Sequence, residues 1–118
     1  MRISQCGEPR VCLSFDLGSA QGPKGIGFVA VSLPVKVEDR ADENGPVIAQ
    51  LCFPEGEPLA GRAIEKRLSD SWLVFRIPSD LCPEGGSLTF CALVDEVVLF
   101  QSMYRFVWRG RYPRLEAV

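Results

Sequence analysis

The chain contains no histidine in 118 residues. Histidine is the one side chain whose ordinary pKa lies near neutrality, and it is the commonest metal ligand. Its absence removes Ser-His-Asp and Cys-His catalysis, and any histidine-ligated zinc or non-haem iron site. An excess of either charge is also missing. Thirteen basic residues stand against fifteen acidic ones, giving a net charge of −2 and a pI of about 5.1. No overall field draws the chain to nucleic acid or to an anionic membrane. Long apolar runs are lacking too. The longest, such as residues 28–33 and 97–100, are far too short to span a bilayer. The first ten residues hold no apolar stretch of the signal-peptide kind. No Cys-x-x-Cys spacing occurs among Cys6, Cys12, Cys52, Cys82 and Cys91. An odd thiol count without an export signal reads as reduced cysteines in a cytoplasmic protein. No metal and no cofactor are expected, because a cysteine-only zinc site normally shows one tight half.

What is present is the make-up of a globular domain, 47% apolar and 24% charged. Residues 1–118 read as one domain, long enough to bury a core without staples. Strand-like runs recur between turn residues. Residues 11–15 come first, and residues 18–27 are too glycine-rich for a helix. Over residues 28–37, Val29, Val31, Leu33, Val35 and Val37 alternate with Phe28, Ala30, Ser32, Pro34 and Lys36. A period of two marks one buried face. Pro34 cannot donate to a ladder, so it bends this strand or sets that part of it on an edge. Asn44-Gly45-Pro46 signals a turn ahead of a strand over residues 47–53. Residues 59–68 fit a short helix, with Leu59, Ala63, Ile64 and Leu68 in one stripe. The proline–glycine turn before them favours the return strand of a hairpin instead. Strands over 72–77, 88–94 and 97–108 follow, the last two a hairpin about Asp95-Glu96. Residues 110–118 are the expected frayed end, with the first ten next.

About seven strands without a strong helix predict an all-β fold, an antiparallel β-sandwich with a small barrel as the alternative. From Trp72 onward the rhythm is strand, Ile-Pro, loop, Gly-Gly, hairpin. It resembles that of sandwich modules of immunoglobulin-like or C2-like architecture. Val29, Val31, Leu33, Leu51, Phe53, Leu73, Phe75, Phe90, Phe106 and Trp108 form the expected core.

Candidate sites are few. Glu38, Asp39, Asp42, Glu43 and Asn44 could offer oxygens to calcium, but no EF-hand register fits and Arg40 sits among them. A solvated loop is the plainer account. The glycine-rich residues 18–27 miss the phosphate-loop spacing. Near the C-terminal end, Arg105, Arg109 and Arg111 are interleaved with Tyr104, Phe106 and Trp108. Aromatics stack on bases and arginines hold phosphate. Period two separates the two sets, however, so nucleic acid is not the favoured partner. The stronger signal is a surplus of apolar positions. Leu93, Val97, Leu99, Met103 and Val107 read as a second apolar face opposite the core face of residues 100–108. A sandwich strand needs one buried face. The surplus calls for cover by residues 59–68 or by another chain. The reading is a non-enzymatic interaction or assembly module, an adaptor or structural subunit. Its partner would be a protein or a second copy of itself in a homo-oligomer. The alternative is a ligand- or nucleotide-binding domain using the arginines. An enzyme with carboxylate chemistry ranks last, because nothing selects two of the fifteen acids.

Overall fold

The computed structural model describes residues 1–15, 27–41, 43–65, 70–110 and 112–118. Among them ten strands occur: β1 (Arg2–Gln5), β2 (Arg10–Phe15), β3 (Gly27–Glu38), β4 (Ile48–Cys52), β5 (Leu59–Ala60), β6 (Arg62–Glu65), β7 (Asp70–Pro78), β8 (Ser87–Val94), β9 (Val97–Arg109) and β10 (Tyr112–Ala117). The one helical element among the described residues is a 3-10 turn, Ser79–Leu81, after β7. No helix among them is long and apolar enough to cross a membrane.

The strands form two antiparallel sheets. Sheet A runs β1-β3-β7-β6, with β2 also paired to β3, and sheet B runs β10-β9-β8-β4-β5. They pack as a sandwich and no barrel closes. If β1 and β2 are taken together as the first strand, this is the ABED and C′CFG order of immunoglobulin-type sandwiches, with β10 added beyond the last strand.

Strand β3 organises sheet A. Val29, Val31, Leu33, Val35 and Val37 are all buried. Their β-branched or leucine side chains stand on one side of the pleat. Pro34 is tolerated in this central strand for a definite reason. β2 pairs with residues up to Ser32, and β1 pairs from Val35 onward. Pro34 faces the gap between them, and its carbonyl accepts the Cys6 N–H at 3.1 Å. In an antiparallel strand N–H and C=O point the same way, so the donor that proline lacks would have faced that gap.

The core lies between the sheets. Phe90 of sheet B meets Phe75 of sheet A edge-on at 5.7 Å between centroids, and Tyr104 at 5.8 Å. The Tyr104 hydroxyl accepts from Gln5 Nε2 at 2.5 Å, and Ser102 Oγ donates to Gln5 Oε1 at 3.1 Å. These bonds join β1 to β9 across the sandwich. Eight of the ten expected core residues are buried; Phe53 and Trp108 are half-buried and pack against the rest.

Three expectations about chain course need correction. Residues 59–68 are read above as one return strand. The described part is two, β5 on sheet B and β6 on sheet A, and residues 66–69 lie outside the described set. Gly61 makes the crossing: its N–H donates to Ala49 O at 3.0 Å, and a Cβ there would lie 2.3 Å from Phe75 Cε1. The expected frayed ends are both paired. β1 registers on β3 and β10 on β9. Each carries inward residues, Ile3 on β1 and Pro113 on β10, and burial of these outweighs their polar composition. The strand count rises from seven to ten by these additions and the split.

The β8–β9 hairpin turns at Asp95-Glu96 as read, with φ of 50° and 68°. Two left-handed residues make a type I′ turn, whose second place favours glycine. A glutamate there carries a Cβ penalty of about 1–2 kcal/mol, part of which glycine returns as chain entropy. Glu96→Gly should therefore raise stability by about 0.5–1 kcal/mol in denaturant unfolding. Gly61→Ala should do the reverse, costing about 1–3 kcal/mol, since the methyl group meets the Phe75 ring and Val74 O. An unchanged midpoint for Gly61→Ala would place the sheet crossing elsewhere.

Candidate interaction surface

The register of sheet B defines its outer face. Three rows cross β4, β8 and β9: Ile48, Leu93 and Val98; then Gln50, Cys91 and Gln101; then Cys52, Thr89 and Met103. None of the nine is charged, in a chain where 24% of residues are. Ile48, Val98 and Met103 are 48%, 46% and 51% exposed. Charges begin only beyond the rows. Asp95 and Glu96 stand at the hairpin turn, and Arg105 with Glu116 stands past Met103. The outer side of sheet A is unlike this, with Arg2, Arg10, Lys36, Glu38, Arg62 and Arg76 spread along it.

Of the residues expected to form the second face, Leu93 and Met103 lie in these rows. Val107 is half-buried farther along the same side, opposite Arg114. Val97 and Leu99 do not join them. Ala92 pairs with Phe100 while Leu93 pairs with Val98, which leaves Leu99 as the extra residue of a β-bulge. A bulge shifts the alternation by one. Val98 takes the outward place, Leu99 packs against the core, and Val97 pairs with Val94 at the hairpin end. Sequence reasoning missed Ile48, Cys52 and Val98. The unbroken apolar run Val97-Val98-Leu99-Phe100 was the available sign that strict alternation fails there.

The arginines and aromatics near the C-terminal end stand apart, as the period of two implies. Tyr104 and Phe106 are buried in the core, and Trp108 donates Nε1–H to Cys82 O at 2.7 Å. Arg105 points outward to Glu116 at 3.6 Å, Arg109 is exposed, and Arg111 lies outside the described residues. Cation–aromatic contacts occur instead on sheet A. The Arg10 guanidinium is 5.0 Å from the Trp72 ring centre and that of Arg76 is 4.0 Å from Phe28. Arg10 and Trp72 line an open trough of about 700 Å³ with Pro34 and Lys36.

In the acidic loop, the Glu38 carboxylate is engaged by Arg2 and by Lys36 at 3.2 Å. The Arg2 hydrogen bond is the larger cause that holds its pKa below the usual carboxylate range. Asn44 Oδ1 accepts the Ala41 N–H at 2.8 Å, closing the turn locally. Asp42 and the glycine-rich residues 18–26 lie outside the described set. Among the described residues no three His, Cys, Asp or Glu side chains stand close enough to hold a metal.

Cys6 and Cys12 are exposed, Cys52 is half-buried, and Cys82 and Cys91 are buried. Burial, and then the charge of Asp80, push the Cys82 thiol up to about 12. Burial, and then Cys52, push Cys91 up to about 11.

No family model, curated protein or solved structure matches this chain.

The thiol environments set an order of reactivity, because the thiolate is the nucleophile. Alkylation of the folded protein should modify Cys6 and Cys12 first and leave Cys82 untouched until unfolding, read by intact mass and peptide mapping. The same shift has a sign for stability. The unfolded chain ionises at the ordinary 9.0 and the folded Cys82 at about 12. Its contribution is complete below pH 9.0 and is lost as pH rises toward 12, where the unfolded chain binds fewer protons. Cys82→Ala should make the alkaline fall in stability shallower. An equal slope in both proteins would show that Cys82 ionises freely when folded.

Proposed function

We propose that this domain is a non-enzymatic assembly module that pairs with a second copy of itself through the outer face of sheet B. The observation that carries the reading is the uncharged three-row area on β4, β8 and β9. The internal cover considered for it is already used. Residues 59–65 extend the edges of the two sheets as β5 and β6 and do not lie across the face.

Magnitude shapes the proposal. Three strands about 4.8 Å apart and three rows about 7 Å apart give roughly 300 Å² of projected area. That is an interface centre, since a standard interface buries about 800 Å² per partner. Such centres are ringed by polar and charged residues, and the ring here has a direction. Asp95 and Glu96 lie at one end of β9, while Arg105 and Arg109 lie toward the other. A two-fold axis crossing the strands near Cys91 exchanges the Ile48 row with the Met103 row. It sets the acidic turn of one copy over the arginine end of the other, a self-complementary arrangement.

Light scattering and sedimentation should find a dimer for the wild type. Val98→Glu or Met103→Glu should weaken it by about 100-fold or more, because an unpaired carboxylate in the interface costs several kcal/mol. Both positions are half-exposed in the single chain, so circular dichroism should be unchanged. A wild type that stays monomeric at high concentration would overturn the proposal.

A further inference from the structure

Cys52 and Cys91 are 39 residues apart in the chain, yet their sulfurs lie 3.6 Å from each other on the outer side of β4 and β8. The pair arises from register. Cys91 is opposite Gln50 and Cys52 is opposite Thr89, so the cysteines are diagonal neighbours on one face. Such neighbours are within reach of each other's side chains. A disulfide needs sulfurs about 2.05 Å apart, so about 1.5 Å of approach remains. Diagonal neighbours start about 7–8 Å apart, at the edge of disulfide range, so closure takes rotation of both side chains and a small shift of β4 against β8. The remaining thiols have no such neighbour among the described contacts. Cys82 Sγ donates to Pro78 O at 3.7 Å within the core.

We propose that Cys52 and Cys91 form a dithiol that closes reversibly to an intrachain disulfide, with a small-molecule disulfide as oxidant. The two cysteines have unequal roles. Cys52 is half-buried and can be reached from solution, whereas Cys91 is 3% exposed and cannot meet a bulky reagent. The Cys52 thiolate attacks one sulfur of the oxidant. The oxidant's S–S bond breaks, one thiolate leaves and takes up a proton, and a mixed disulfide stands on Cys52. The Cys91 thiol attacks the Cys52 sulfur, breaking the mixed disulfide and expelling the second thiolate, which takes up the proton that Cys91 loses. Two thiols are oxidised and one disulfide is reduced to two thiols, so atoms and electrons balance. Gln101 Nε2 lies 4.0 Å from the Cys91 sulfur, a weak donor that favours the thiolate as it forms. Burial, which pushes Cys91 up to about 11, opposes that and makes closure the slower step.

The pair lies within one chain, but the proposed dimer would cover it, so the chemistry is tested on protein dilute enough to be monomeric. Exposed Cys6 and Cys12 are first replaced by serine, leaving Cys52, Cys82 and Cys91. The protein is incubated with oxidised glutathione, denatured, alkylated and weighed. The expected product has one alkylated thiol, no glutathione, and a crosslinked peptide joining Cys52 to Cys91; added dithiothreitol restores all three thiols. In the same background Cys91→Ser should stop at a glutathione adduct on Cys52. Overturning results are a stable glutathione adduct with Cys91 intact, three free thiols after exposure, or a crosslink involving Cys82.

Discussion

The contact between Phe75 and Phe90 is the constraint on which the rest depends. It is the edge-on meeting of the two sheets at the centre of the sandwich, with ring centroids 5.7 Å apart. Phe75 is held in register by β3 through Val31, and Phe90 by β4 through Leu51. All four side chains are buried. The same ring of Phe75 also leaves no room for a Cβ at residue 61, so the chain crosses from sheet B to sheet A on a glycine. Because Phe90 points inward, the alternation of β8 sends Cys91 and Leu93 outward. The packing that fixes the core thus decides which side chains make up the outer face, and it sets the two thiols side by side.

The inner side of the fold was legible for a simple reason. Burial on one side of a strand writes a period of two into the sequence, and β3, β4 and β7 carry it without interruption. The outer side was legible only where the phase held. Leu93 and Met103 are where period two puts them, but one extra residue at Leu99 reverses the phase of Val97 and Val98. A bulge depends on how two strands twist together, which a single strand's pattern does not contain. β1 and β10 were lost for a related reason. They are short edge elements with charged or proline-bearing sequences, RISQ and YPRLEA. Their order comes from pairing with β3 and β9 and has little source in local propensity. The Cys52–Cys91 proximity is a tertiary fact of the same kind. Linear spacing carries no sign of it, because strand register brings together residues 39 apart.

Edges and faces are managed differently in this molecule. Exposed edge strands are templates for unwanted pairing, and proteins blunt them with charge, proline and brevity. β10 carries Pro113, Arg114 and Glu116, β5 is two residues long, and β6 begins with Arg62. The proposed contact surface is therefore a face and not an edge. A face contact leaves the ladders of both copies intact. It also allows the register of β4, β8 and β9 to determine which side chains meet.

The lack of histidine shapes what can regulate such a surface. No side chain of ordinary pKa in this chain changes charge between pH 5 and 8. The resolved shifts also move away from that range. Glu38 is lowered by its Arg2 and Lys36 partners, while Cys82 and Cys91 are raised by burial. Around the central rows of sheet B, Gln50, Gln101 and Thr89 do not titrate at all. Protons are therefore a poor signal for this face near neutrality. The two cysteine sulfurs are its dithiol, and their chemistry is two-electron oxidation with covalent closure. Of the two common ways in which a protein surface senses its surroundings, acid–base titration and thiol oxidation, the composition removes the first, while the register of β4 against β8 places the groups for the second.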